Sequence, residues 1–213
     1  MKRLFIFLII IIFLLVLMFL LNKFNNTQEN FFKYPNKEEI NTCYPNVMSK
    51  KEEDILEQLI DIWNEVSNQL DIKWSVCAGS YIGIMRDGGR IPWDDDFDVV
   101  IMKKDVEKMK HIDKILSKYN VSISRFWGGY KLFFNDSRAI RKFKRFPWNW
   151  PFIDIFALGR DKECSFLEES EFPLKKMKFG SSNVFVYQNP KKDRSCIRNT
   201  NWKNELYDNG YRH

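Results

Sequence analysis

The sequence has few of the residues that bind zinc. Among 213 residues there are 2 His and 4 Cys, and their spacing matches no zinc motif. Hydrophobic residues make up 45% and charged residues 29% of the chain, which excludes wholesale disorder. The net charge of +6 suits an anionic substrate, an anionic membrane or nucleic acid. Because the basic residues belong to no recognised nucleic-acid module, we expect no nucleic-acid partner.

Charged and polar side chains are absent from residues 4–21, which form one apolar run after Lys2 and Arg3. At about 1.5 Å per residue the run would cross most of a hydrocarbon core of roughly 30 Å. A cleaved signal peptide is the alternative, but no Ala-x-Ala-like site follows. The sequence therefore predicts a single transmembrane signal anchor over residues 1–21, a polar stem over 22–48 and a catalytic domain over 49–213.

The leading Lys2 and Arg3 favour a cytosolic N-terminus, which predicts a type II membrane protein. Its catalytic domain would be lumenal (Golgi or ER) or otherwise extracytoplasmic. Sequons at Asn25, Asn120 and Asn135 agree with a glycoprotein, although chance also produces sequons in an Asn-rich chain. In such a compartment the four cysteines permit one or two disulfides. They are Cys43, Cys77, Cys164 and Cys196. We expect Cys77 to lie buried in a strand as a free thiol.

The catalytic domain begins with a capping box at Ser49 and Glu52, followed by apolar residues at helical spacing. Further helices are predicted over 81–86 and, with Asp105 as its cap, over 106–118. Strands are predicted over residues 74–77, 97–102, 121–126, 130–134, 152–158 and 182–187. Because no regular βαβ rhythm appears, the predicted class is α+β.

Four aspartates precede or begin the strand over 97–102. Side chains on a strand alternate between faces, so Asp96 and Asp98 point to one side and repel each other. A divalent cation such as Mg²⁺ would relieve that repulsion, and the pair has room for one metal ion or two. An acidic turn that only solubilises the strand is the alternative.

Two further pieces support a phosphate-handling site. Gly79 and Ser80 stand between a strand and a short helix, where backbone amides favour an anion. Asp154 interrupts an apolar strand, and a lone buried carboxylate is costly unless it is paired or binds a metal. A satisfied core aspartate is the alternative for Asp154. Lys131 is predicted to face the same cleft and pair with phosphate, unless it is a plain surface lysine.

Two stretches resemble the LicD family, which includes bacterial phosphocholine transferases, fukutin and fukutin-related protein. They are Ala-Gly-Ser-Tyr-Ile-Gly-Ile-Met-Arg at residues 78–86 and Ile-Pro-Trp-Asp-Asp-Asp-Phe-Asp at residues 91–98. Ile-Asp-Ile-Phe at 153–156 is similar to the family's second motif. The C-terminal part departs from the family pattern and looks short.

The resemblance implies a nucleotidyltransferase-like mixed sheet flanked by helices. It also implies transfer of a phosphate-linked alcohol, of phosphocholine or ribitol phosphate type, from a CDP-linked donor to a glycan. Asp96, Asp98 and Asp154 would bind Mg²⁺ or Mn²⁺ and act in catalysis, and Gly79 and Ser80 would contact the donor. Arg86 would contact phosphate or anchor its turn. Transfer of a nucleoside monophosphate, or a non-catalytic glycan-binding role, is the alternative.

Overall fold

The computed structural model describes residue 18 and residues 48–142, 146–160 and 164–188. Apart from residue 18, the predicted membrane anchor lies outside these residues, as do most of the stem, Cys43, Cys196 and the sequon at Asn25. Within them, no helix has the length and apolarity needed to cross a membrane.

The first helix, α1 (Lys50–Gln69), begins where the sequence predicts. Ser49 caps it: its Oγ accepts from the Glu52 amide, and the Glu52 carboxylate accepts from the Ser49 amide at 2.6 Å. One face of α1 is apolar and packs against the sheet, with Leu59 and Trp63 fully buried at its centre. Such a face, rather than intrinsic propensity, supplies most of the stability of a helix.

The other helices between residues 48 and 188 that the structure describes are short. They are α2 (Ala78–Ile82), which continues as a π-helical turn (Gly83–Asp87), and α3 (Asp113–Leu116), with 3-10 turns at Lys103–His111, Ser117–Tyr119 and Glu169–Glu171. Gly88 ends the π-helical turn with φ +73°, a left-handed conformation that glycine adopts without strain.

The described strands form one five-stranded sheet and two hairpin-like pairs. They are β1 (Trp74–Val76), β2 (Phe97–Ile101), β3 (Val121–Phe126), β4 (Gly129–Phe134), β5 (Arg141–Lys142), β6 (Asn149–Trp150), β7 (Phe152–Phe156), β8 (Leu174–Phe179) and β9 (Ser182–Tyr187). The large sheet has the order β1-β2-β7-β4-β3, with β2 and β7 parallel and the other pairs antiparallel. The predicted α+β class and mixed sheet are therefore confirmed.

The core lies between the sheet and α1, which packs against β4, β7 and β9. On β2 and β7 the residues that alternate with the acids, such as Val99, Ile153 and Ile155, are 0% exposed. This alternation leaves the opposite face of the same strands for polar side chains.

The predicted helix over 106–118 is only partly correct. The chain instead turns as a 3-10 helix from Lys103 and reaches α-helical geometry at α3. Asp105 does not cap it: its carboxylate is buried, accepts from the Lys73 amide at 2.9 Å and pairs with Lys108 Nζ at 2.7 Å.

The prediction of a free thiol at Cys77 is wrong. Cys77 is buried as expected, but it lies just beyond β1 and forms a disulfide with Cys164, with a Cα–Cα distance of 5.7 Å. No pairing could be deduced from the sequence, since the partner is 87 residues away. In the chain-entropy model, closing a loop of this length stabilises the fold by about 4 to 5 kcal/mol.

Candidate active site

The three predicted acids lie together where β2 begins, beside the middle of β7. Asp98 on β2 pairs in register with Asp154 on β7, so their side chains are neighbours on one face. Asp96 precedes β2 by one residue. One carboxylate oxygen from each of these three residues lies within 4.8 Å of the other two. The sheet register therefore unites acids that are far apart in the sequence.

Burial and nearby negative charge raise the pKa values of Asp96 and of its neighbour Asp94. The pKa of Asp96 lies well above its ordinary range because of burial first, and then because of the charges of Asp98 and Asp154. Burial and the neighbouring Asp95 raise the pKa of Asp94 to about 7, against the opposing effect of Arg90. Carboxylates crowded in this way are suited to a hard divalent cation, which prefers oxygen ligands and neutralises their charge.

Asp94 gives a second sign that the site accommodates a cation. Its Oδ2 is buried and has no hydrogen-bond partner, an arrangement that costs free energy unless something compensates it. Asp94, Asp95 and Asp96 also bring carboxylate oxygens within 4.8 Å of one another. Asp96, Asp98 and Asp154 thus fit one metal ion, and Asp94 and Asp95 provide enough further carboxylate ligands for a second.

Gly79 lies directly beside this carboxylate. A Cβ at residue 79 would come within 3.0 Å of Asp94 Oδ2, so a larger residue would require the Asp94 carboxylate to shift by a few tenths of an ångström. Ser80 is fully buried, and its Oγ accepts a hydrogen bond from the Asp98 amide at 2.9 Å. The observed contacts of the Gly-Ser pair are therefore with the acids.

Lys131 lies in the same row of the sheet, paired in register with Asp154. Its Nζ donates to both carboxylate oxygens of Asp154, at 2.6 and 2.7 Å. The ammonium also lies 3.6 Å from the centre of the Phe152 ring, with Phe126 and Trp148 at 5.0 and 5.4 Å. Lys131 is a buried lysine bound to the third acid, so the surface-lysine alternative is wrong.

Arg86 forms a bidentate pair with its neighbour Asp87, with Nε–Oδ1 and Nη2–Oδ2 distances of 2.8 Å. Both side chains are about nine-tenths buried. Of the two predicted roles, this contact fits the anchoring of the turn.

Two side chains that hold the acidic turn escaped the sequence reasoning. Arg90 donates to the carbonyls of Ile91, Pro92 and Asp94, at 3.2, 3.1 and 2.5 Å, and joins this turn to α1 through Glu53. Trp150 Nε1 donates to the Asp95 carbonyl at 2.7 Å. Both act on backbone carbonyls, which leave no mark in residue spacing, so no sequence signal would have found them.

An aromatic ridge borders the acids on the Lys131 side. It comprises Phe126, Trp127, Phe146 and Trp148, with Trp127 59% and Phe146 53% exposed. Phe146 stacks on Trp148 at 4.7 Å, and Trp127 meets Phe126 edge-on at 5.8 Å. These rings offer an apolar surface next to the Lys131 ammonium, which Phe126 and Trp148 approach.

Comparison with known proteins identifies the family. A family model described as "LicD/FKTN/FKRP, nucleotidyltransferase domain" matches residues 71–189, which include the acids and both motifs. An uncharacterised protein of Rickettsia prowazekii (strain Madrid E) is 33% identical over 142 residues, covering 63% of this chain and 50% of its own length. An uncharacterised protein of Rickettsia typhi (strain ATCC VR-144 / Wilmington) is 28% identical over 150 residues, covering 65% of this chain and 43% of its own length. The chain thus spans about half the length of these relatives.

Solved structures share low identity with the chain. The crystal structure of ANT(2")-Ia in complex with adenylyl-2"-tobramycin has a TM-score of 0.39 at 12% identity, covering 62% of this chain and 68% of its own. The crystal structure of an antigenic nucleotidyltransferase-like protein from Paracoccidioides brasiliensis has a TM-score of 0.41 at 13% identity. The match covers 74% of this chain and 77% of that protein's chain. With the family model matching more than half of its length, the chain belongs to the LicD/FKTN/FKRP family and carries the nucleotidyltransferase domain of that family.

Proposed function

We propose that this chain is a metal-dependent phosphotransferase that moves a phosphate-linked alcohol from a CDP-linked donor to a glycan. The observation that carries the proposal is the row of Asp96, Asp98 and Asp154, whose oxygens converge within 4.8 Å and whose charges repel one another. Membership of the family supports a transferase activity. The resemblance of the acid motifs to those of the family favours phosphocholine or ribitol phosphate as the transferred group.

Asp96, Asp98 and Asp154 would hold Mg²⁺ or Mn²⁺. When bound, the ion would supply neutralisation of charge on the donor phosphates and on the leaving oxygen. Lys131 does not exclude Asp154 from this set, because each carboxylate oxygen has more than one lone-pair site.

In the proposed reaction, the acceptor hydroxyl oxygen forms a bond to the phosphorus that carries the alcohol. The bond from that phosphorus to the bridging oxygen breaks, and CMP leaves. Asp154 is the candidate to accept the hydroxyl proton, since Lys131 holds its carboxylate in place through two hydrogen bonds. The protein contributes mainly position and charge, as is usual in phosphoryl transfer.

Gly79, Ser80, Arg86 and Lys131 are proposed to form the donor-phosphate side of the site. The contacts favour an indirect role for three of them: Ser80 holds Asp98, Arg86 holds its turn and Lys131 holds Asp154. Gly79 leaves the space that Asp94 occupies.

A glycan acceptor is supported by the aromatic ridge, whose exposed rings Trp127 and Phe146 offer stacking surfaces for sugar rings. We further propose an extracytoplasmic, membrane-anchored location, with residues 1–21 as the anchor. The Cys77–Cys164 disulfide is typical of proteins in oxidising compartments. The sequon residues Asn120 and Asn135 are exposed.

The test is a thermal-shift screen of CDP-linked alcohols with and without Mg²⁺, because a ligand that binds the folded state raises the melting temperature. We expect CDP-choline or CDP-ribitol to raise it only when Mg²⁺ is present. The proposed donor class would be rejected if neither compound changed the melting temperature at any Mg²⁺ concentration.

Transfer of a nucleoside monophosphate is the second candidate, favoured by the nucleotidyltransferase domain of the family. Donors labelled in either the alcohol or the cytidine separate the two reactions. The proposal predicts the alcohol label on the acceptor and the cytidine label in free CMP. Nucleotidyl transfer would instead leave the cytidine label on the acceptor and the alcohol label in the released alcohol phosphate.

A further inference from the structure

The backbone of Asp98 is hydrogen-bonded to residues 77–80, where β1 passes into the first turn of α2; these four residues are called the 77–80 loop. The Cys77 amide donates to the Asp98 carbonyl at 3.0 Å, and the Asp98 amide donates to Ser80 Oγ at 2.9 Å. Cys77 and Ser80 are both 0% exposed. The position of the Asp98 carboxylate therefore depends on this loop as well as on the pairing of β2 with β1 and β7.

The loop itself is strained. Ala78 has φ +45°, in the left-handed region that residues with a Cβ rarely adopt. Such a conformation persists only when its surroundings fix it. On the C-terminal side the loop is fixed by α2, where the Tyr81 amide donates to the Cys77 carbonyl at 3.0 Å.

On the other side the loop is fixed covalently. Cys77 is bonded to Cys164, in the segment that follows β7 and therefore Asp154. That segment is itself attached to the sheet, because the Leu167 amide donates to the Ile101 carbonyl at the end of β2 at 3.1 Å. The disulfide thus joins the loop that holds Asp98 to the chain segment that continues from the strand of Asp154.

We propose that the Cys77–Cys164 disulfide positions the Asp98 carboxylate for cation binding, in addition to stabilising the fold. This inference rests on the proposed function, since it assumes that Asp96, Asp98 and Asp154 bind a cation. Reduction converts the disulfide to two thiols, while dithiothreitol supplies two electrons and two protons and becomes its cyclic disulfide. Cys77 is then released, Ala78 relaxes and the hold on Asp98 loosens.

The test measures cation affinity rather than activity. In a Cys43→Ser/Cys196→Ser background, only Cys77 and Cys164 remain of the four cysteines. Tb³⁺ serves as the probe, with luminescence sensitised by the site tryptophans Trp93 and Trp150. The oxidised protein and the reduced protein, freed of dithiothreitol under nitrogen, are titrated side by side. Loosened positioning of a ligand typically weakens metal affinity by 10–100-fold, so we expect the Kd to rise about tenfold or more.

Two controls separate positioning from stability. Leu59→Ala removes a fully buried side chain of α1, which packs against β4, β7 and β9, and should lower the melting temperature. We expect its Tb³⁺ affinity to match that of the oxidised parent. Ala78→Gly permits the left-handed φ without strain, so we expect it to restore part of the affinity lost on reduction. If the reduced protein loses its fold, the titrations are repeated in trimethylamine N-oxide, which favours the folded state.

Equal Kd values for oxidised and reduced protein would overturn the positioning role while leaving the proposed function intact. The role is also overturned if Leu59→Ala weakens binding as much as reduction does. Absence of Tb³⁺ binding to the oxidised parent would overturn the cation site itself, and the positioning role with it.

Discussion

Two groups of aspartates lie at the two ends of β2, and they are stabilised in opposite ways. At the far end, Asp105 is 2% exposed but accepts from the Lys73 amide and pairs with Lys108, while Asp71 pairs with Lys73 and has a lowered pKa. At the near end, Asp96 lies among other carboxylates, which together with burial raise its pKa. The first group is an internally neutralised structural network. In the second group Lys131 pairs with Asp154, but burial and like charge still raise the pKa of Asp96, which is typical of a functional site.

Exchanging one carboxylate for an amide in each group should give the largest contrast. Asp98→Asn removes a charged ligand, so we expect transfer to fall by at least about a hundredfold and the Mg²⁺-dependent rise in melting temperature to disappear. Asp105→Asn removes the partner of Lys108, so we expect lower stability with the Mg²⁺ response retained. Thermal unfolding with and without Mg²⁺ and a transfer assay on both variants measure these differences. If Mg²⁺ still raised the melting temperature of Asp98→Asn, the proposed difference between the two groups would be refuted.

Replacing Lys131 by methionine should make the near group still more negative. Because the pair with Asp154 is nearly buried, breaking it is expected to lower the free energy of unfolding of the metal-free protein by about 3 to 5 kcal/mol. Mg²⁺ should recover more stability in Lys131→Met than in the unmodified protein, since the cation replaces the lost charge. Urea unfolding with and without Mg²⁺ measures both quantities. A smaller Mg²⁺ effect in the variant would show that Lys131 and the cation do not share Asp154.

The pH dependence of stability should differ between the groups. In metal-free protein the pKa values of Asp94 and Asp96 are raised above that of the unfolded chain, near 4. The folded state then binds more protons, so its stability falls as pH rises from about 4 through about 7. We expect a higher melting temperature at pH 5.5 than at pH 7.5 in EDTA, and a smaller difference in Mg²⁺. Asp94→Asn should weaken the dependence of the melting temperature on pH in EDTA. An unchanged pH dependence in that variant would count against a raised pKa of Asp94.

The smallest effect is expected at the exposed edge of the far group. Asp71 and Lys73 are largely exposed, with their ion pair at 2.7 Å, and exposed ion pairs contribute little to stability because solvent screens them. Lys73→Ala should therefore change the free energy of unfolding little, and the change should diminish further in high salt. A loss as large as that of Lys131→Met would remove the distinction between the two groups.

The sequence predicted the local features better than the long-range ones. The capping box at Ser49 located α1, and β3 and β9 have their predicted bounds, because capping and alternation are local properties. β8 was missed because Lys175, Lys176 and Lys178 make it look like a solvated loop; it is a strand through its pairing with β9. Asp105 looked like a cap because one of its partners, the Lys73 amide, lies 32 residues away and is not visible in local sequence.

At the site, the motifs named the acids, and the sheet register explains why they meet. The role of Lys131 depended on its register with Asp154, and the supports from Arg90 and Trp150 run to backbone carbonyls. These contacts are set by tertiary packing rather than by residue spacing. The disulfide is a further case, since the sequence permitted several pairings of its four cysteines.

The most direct test of the account is a crystal structure of the protein grown with Mn²⁺, with data collected at an energy that gives a manganese anomalous signal. The account predicts an anomalous peak between the carboxylates of Asp96, Asp98 and Asp154, at a metal–oxygen distance of about 2.0 to 2.2 Å. An anomalous peak at the Asp71 and Asp105 group instead, or none at the three acids under saturating Mn²⁺, would contradict it.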